Sequence, residues 1–73
     1  MVKIKYIGYL AELAGKREEE IKLDKPTKIR ELIDLQRVKL EELIILVNGL
    51  PGSLDSVVSG EDEISVLPVI SGG

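Results

Sequence analysis

A chain of 73 residues with no Cys and no His has neither a disulfide framework nor a zinc cluster to hold it together. A chain this short hides only about 60% of the surface its unfolded form exposes, so side-chain packing has to supply its stability. With two Tyr, no Phe and no Trp, that packing has to be aliphatic. One domain is the expectation, with no repeats or linkers. The same absences remove a thiol nucleophile and histidine acid–base catalysis. Ser53, Ser56, Ser59, Ser65 and Ser71 have no imidazole partner, so no triad exists. Catalytic residues and metal ligands are both expected to be none.

Charge narrows the partners. The formal net charge is −3, and the basic residues Lys3, Lys5, Lys16, Arg17, Lys22 and Lys25 are interleaved with acids. Nucleic acid and anionic membranes both require a concentrated basic surface, so no nucleic acid and no membrane is expected. No apolar run approaches the roughly 20 residues of a transmembrane helix. The start, alternating Val-Lys-Ile-Lys, is not a signal-peptide core, and a cytoplasmic location is expected.

Periodicity then orders the chain. Val2 to Tyr9 reads as a strand with Val2, Ile4 and Tyr6 on one face. Leu10 to Ala14 reads as a helical turn, with Gly15 as its left-handed cap. Glu18 to Leu23 reads as a second strand, with Ile21 and Leu23 inward and an acidic run that suits an exposed edge. Thr27 is placed to cap a helix carrying Ile29, Leu32, Ile33 and Gln36 at helical spacing. Arg37 to Glu42 fits either a longer helix or a loop. Leu43 to Val47 is an aliphatic run of strand length, and Asn48-Gly49 and Pro51-Gly52 are turn signals. Leu54 to Val58 is a short extended or single-turn segment. Glu63 to Val69 reads as the last strand, with Ile64 and Val66 inward and Leu67 outward, and Pro68 at its margin. Strands around one helix argue for an α+β domain with the helix packed on one sheet face.

No side-chain constellation carries chemistry. Glu12, Glu31 and Glu41-Glu42 lie on separate elements, and Asp62-Glu63 flanks a turn. Asn48 to Gly52 has two glycines but lacks the strand–loop–helix setting of a phosphate loop. What remains is the terminal Gly72-Gly73. Without Cβ atoms such a tail is narrow enough to thread a tight channel, and its final carboxylate is sterically open to activation by ATP.

Four stretches in order resemble one family. Val2 to Gly15 looks like the first strand and x-E-L-A-G turn of MoaD-type sulfur carriers. Pro26-Thr27 through Glu31-Leu32 resembles the start of their helix, Val47-Asn48-Gly49 their V-N-G strand end, and Asp62 to Gly73 their closing D-E-V-x-x-x-P-P-V-S-G-G. Three departures stand out. Val69 replaces the second proline, the turn glycine is one residue early at Gly60, and the stretch between helix and third strand is short. The ending also resembles the V-I-A-G-G tail of ThiS-type carriers.

The resemblance implies a ubiquitin-like β-grasp fold, a mixed sheet of four to five strands with one main helix. It divides the chain into a domain, 1–69, and a flexible tail, 70–73. It implies a non-catalytic carrier with no permanently bound cofactor. A ubiquitin-activating-like adenylyltransferase uses ATP and Mg to adenylate Gly73, which then becomes a thiocarboxylate. The sulfur goes to a pterin precursor on the large subunit of molybdopterin synthase. Gly72, Ser71, Ile70, Val69 and Pro68 would be the recognised tail. Ile7, Leu50 and Leu67, which break the inward parity or sit in a turn, would form a partner patch, with Leu46 a further candidate. The alternatives are sulfur donation to thiamine thiazole, or a protein modifier joined through Gly73 to lysines.

Overall fold

Alternation builds the sheet. In a computed structural model, which describes residues 1–35 and 38–69, Val2–Tyr6 forms β1 with Val2, Ile4 and Tyr6 buried. Gly8 adopts φ 65 and turns the chain into α1, Leu10–Ala14. The helix presents Leu10 to the core and ends at Gly15, φ 78, whose N–H is shared by the carbonyls of Ala11 and Glu12. Glu18–Ile21 is β2, Thr27–Lys28 is β3, Leu43–Val47 is β4, Leu50–Gly52 is β5, Val57–Val58 is β6 and Glu63–Pro68 is β7.

Five of these strands form one sheet in the order β2-β1-β7-β4-β5. The β1–β7 pair is parallel and the other pairs are antiparallel, so the sheet is mixed. β3 and β6 make a separate two-stranded ribbon. The fold class read from the sequence holds: a mixed five-stranded sheet with one α-helix, α1, against its core face. Among the described residues twelve side chains form the core, from Val2 to Val66, and no polar or charged side chain is buried.

The position of the helix differs from the sequence expectation. The segment from Thr27 makes only one 3₁₀ turn, Ile29–Glu31. Its start is zipped to the following loop: Thr27 pairs with Val58, and the Ile29 and Arg30 amides donate to the Ser56 and Leu54 carbonyls at 3.0 and 2.9 Å. Beyond it, Ile33 and Leu35 are buried while Asp34 is exposed. Two-residue alternation belongs to extended chain, because residues two apart leave opposite sides of a helix. Thr27 is no cap either, since its hydroxyl donates to the Lys25 carbonyl at 2.9 Å. A second 3₁₀ turn, Leu40–Glu42, leads into β4. Gln36 lies outside the described residues.

The β4–β5 hairpin turns on Asn48 (φ 53) and Gly49 (φ 82), the two positive dihedrals of a type I′ turn. The Asn48 side chain ties this turn to the start of β7. Its Nδ2 donates to Asp62 Oδ1 at 3.1 Å, and its Oδ1 accepts the Glu63 N–H at 2.9 Å. Asp62 Oδ2 accepts the Ser59 N–H at 3.0 Å. The Ser59 amide, then Asn48, hold the Asp62 carboxyl below its ordinary range.

Candidate functional site

The face of the sheet away from the core is divided in two. On β7 it carries Glu63, Ser65 and Leu67; on β4, Ile44 and Leu46; on β1, Lys3 and Lys5; on β2, Glu18 and Glu20. Register brings Ile44 opposite Leu67, and Leu46 opposite both Ser65 and Pro51. The Ile7 amide donates to the Val66 carbonyl at 3.0 Å, which keeps the chain alongside β7 and sets Ile7 next to Leu67. One half of the face is therefore aliphatic: Ile7, Ile44, Leu46 and Leu67. The other half is a charge ladder, with Lys3 opposite Glu20 and Glu63, and Lys5 opposite Glu18. Lys5 Nζ meets Glu63 Oε1 at 2.9 Å. This hydrogen bond raises the Lys5 pKa and lowers that of Glu63. Both groups are exposed, so the pair contributes orientation more than stability.

The aliphatic half adjoins the root of the C-terminal segment. Pro68 closes β7 opposite Leu43, and Val69 is exposed. Gly8 lies against this root, where a Cβ would stand 3.6 Å from Pro68 Cγ. Ile70, Ser71, Gly72 and Gly73 lie outside the described residues.

The sequence trio is thus partly assembled. Ile7 and Leu67 share the open face, and Leu46 joins them. Leu50 does not: it pairs with Val47, which packs against the core, so it sits on the opposite face at the sheet edge, 69% exposed. Ile44, 44% exposed, was missed in the sequence. An unbroken Leu-Ile-Ile-Leu-Val run has no parity of its own. Pairing it against the clear alternation of Glu63 to Pro68 would have found it.

A second polar cluster lies on the core side. The Tyr6 hydroxyl donates to Glu19 Oε1 at 2.6 Å, and Lys16 Nζ donates to Oε2 at 2.5 Å. Burial, then the bond to Glu19, drives the Tyr6 pKa well above its usual value. Partial burial opposes ionisation of Glu19, but the hydrogen bonds from Lys16 and Tyr6 together outweigh it, and its pKa is lowered. Neither group is poised to exchange protons near neutral pH. Among the described residues no group of His, Cys, Asp or Glu could hold a metal ion, and no helix is long and apolar enough to cross a membrane.

The fold finds counterparts in known proteins. A sequence model described as the ThiS family matches residues 4–73. The chain belongs to the ThiS family. Among solved structures, this ThiS-family chain is similar to a protein of Pyrococcus furiosus assigned as molybdopterin converting factor, subunit 1. The two share 31% identity at TM-score 0.76, covering 94% of this chain and 97% of that one. It is also similar to SAMP1 from Haloferax volcanii, at 21% identity and TM-score 0.75, covering 99% and 98% of the two chains. The second likeness establishes the shared fold. No curated protein matches significantly in sequence. The V-N-G and D-E motifs now have a structural account, because Asn48, Asp62 and Glu63 lock one turn to another.

Proposed function

We propose that this chain carries sulfur on the carboxylate of Gly73 for the synthesis of molybdopterin, the organic part of the molybdenum or tungsten cofactor. The observation that carries this reading is the 31% likeness, over nearly the whole chain, to a protein assigned as a molybdopterin converting factor subunit. The family match, which extends to residue 73, supports the carrier part of this reading.

The chemistry is divided between carrier and partners. An adenylyltransferase with ATP and Mg lets a Gly73 carboxylate oxygen attack the α-phosphorus, and pyrophosphate leaves. Sulfide then attacks the acyl carbon and AMP leaves, which gives the thiocarboxylate directly; where the sulfur comes as a persulfide, a second thiol cleaves the acyl disulfide, forms a disulfide with the donor and releases the thiocarboxylate. The carrier itself contributes two things. Its aliphatic half-face docks on the partner, and Pro68 and Val69 direct residues 70–73 into the partner's channel. The large synthase subunit then receives the sulfur. A thiazole-pathway carrier is the second reading, favoured by the family description and by the Val69-Ile70 ending. It uses the same loading chemistry.

The test is reconstitution with the activating enzyme, ATP, Mg and a sulfur donor, followed by intact-mass analysis. The expected product has one C-terminal oxygen exchanged for sulfur, and it yields molybdopterin with a large subunit and precursor. A carboxylate that stays unchanged refutes the carrier reading. Loaded carrier that supplies only thiazole synthesis refutes the pterin assignment. Isopeptide-linked Gly-Gly on other proteins would establish the modifier.

The docking face gives a separate prediction. Leu67→Arg should weaken partner binding by about 2 kcal/mol or more, the loss expected at a central interface residue. Its melting temperature should stay close to that of the wild type, because Leu67 faces away from the core. Titration calorimetry and a thermal melt check both. An unchanged affinity would move the interface elsewhere.

A further inference from the structure

Asn48 is the only asparagine in the chain, and glycine follows it. That pairing makes the side chain chemically vulnerable. With no Cβ on the next residue, the Gly49 nitrogen has an open approach to the Asn48 carboxamide carbon. The residue is also exposed. The fold nevertheless engages both ends of the carboxamide. Nδ2 donates to Asp62 at 3.1 Å and Oδ1 accepts from the Glu63 amide at 2.9 Å. The Asn48 amide donates to the Glu63 carbonyl at 2.7 Å, which completes the clasp. A carboxamide can donate and accept at once; an ionised carboxylate only accepts. Its left-handed φ of 53 also favours asparagine over most residues.

We propose that Asn48 is a modification site, a succinimide-forming asparagine guarded by its clasp to Asp62 and Glu63. Its conversion releases the β4–β5 turn from the start of β7. The Gly49 nitrogen gives up its proton to solvent and bonds to the Asn48 Cγ. The bond from Cγ to the carboxamide nitrogen breaks, and that nitrogen takes up a proton from solvent and leaves as ammonia. Water then opens the ring at either carbonyl, leaving aspartate or isoaspartate at position 48. No oxidant, reductant or cofactor takes part. Both products lose the donor to Asp62 and set a second carboxylate against it. Isoaspartate also lengthens the backbone by one carbon, which disturbs the Val47–Leu50 pairing of the hairpin.

The experiment follows the full chain over time at mildly alkaline pH by intact mass and by enzymatic isoaspartate detection. Wild type is compared folded and in denaturant, together with folded Asp62→Ala. Folded wild type should react at least about tenfold more slowly than the denatured chain, because the reaction must wait for local opening. Asp62→Ala should recover most of that factor, as the loss of one or two hydrogen bonds implies. Equal rates for folded and denatured wild type, or an unaccelerated folded Asp62→Ala, would overturn the proposal. Asn48→Asp gives a check that does not depend on Asp62→Ala folding. It should melt below wild type at pH 7, and the gap should narrow as pH falls through the carboxylate range, where a protonated carboxyl donates again. Equal melting temperatures at pH 7 would likewise overturn it.

Discussion

Removing Gly73 should reduce sulfur loading by at least about a hundredfold while leaving the melting temperature unchanged. A chain ending at Gly72 still has a terminal carboxylate, so its intrinsic chemistry is intact. The carboxylate, however, retreats by about 3.5 Å, the length of one extended residue. Misplacing a reacting group by only about 1 Å can cost about a hundredfold in rate. Stability should not follow, because among the described residues the buried core ends at Val66. Loading is read by intact mass and folding by calorimetry on the same samples. Gly73→Ala separates reach from width, since it restores the length and adds one Cβ. Normal loading of the shortened chain would refute the reach argument. A marked fall in its melting temperature would make the tail part of the folded domain.

Ile64→Ala should remove a large share of the stability. Ile64 is fully buried in β7, between Ile4 of β1 and Val47 of β4. Truncating such an isoleucine costs about 2–5 kcal/mol, through lost burial and the cavity left behind. A domain of this size has only about 4–11 kcal/mol in total. The melting temperature should therefore fall by about 10–30 °C. Val57→Ala is the control: Val57 is 58% exposed, so the change should stay within about 0.5 kcal/mol. Similar melts for the two variants would mean that the core is not centred on β7.

Much of this architecture was legible because its strands alternate cleanly. Val2, Ile4 and Tyr6, and then Ile64 and Val66, announce their inward faces, and Gly15 announces a left-handed cap. The helix expected from Thr27 was misplaced for an equally local reason. Ile29, Leu32 and Ile33 satisfy helical spacing, but the pair Ile33 and Leu35 satisfies extended spacing, and pairing with residues 54–58 favours the extended form. No sequence window contains that competing ribbon. On the open face, Ile7 and Leu67 stood out as parity breaks, whereas Ile44 lay hidden in a uniform run. Leu50 was exposed, as a turn residue should be, yet register across the hairpin put it on the other face.

The place of β7 has a consequence for synthesis. Among the described residues it follows every other strand in the chain and so emerges from the ribosome after them, yet it occupies the middle of the sheet, with β1 on one side and β4 on the other. Until Glu63–Pro68 is made, β1–β2 and β4–β5 are separate hairpins, and a lone two-stranded hairpin is at best marginally stable in water. Half-made chains therefore have no finished sheet to offer a partner. Glu63–Pro68 joins the two hairpins into one sheet and completes the aliphatic half of the open face in a single event, so a chain cut short before β7 lacks the face on which the proposed docking rests.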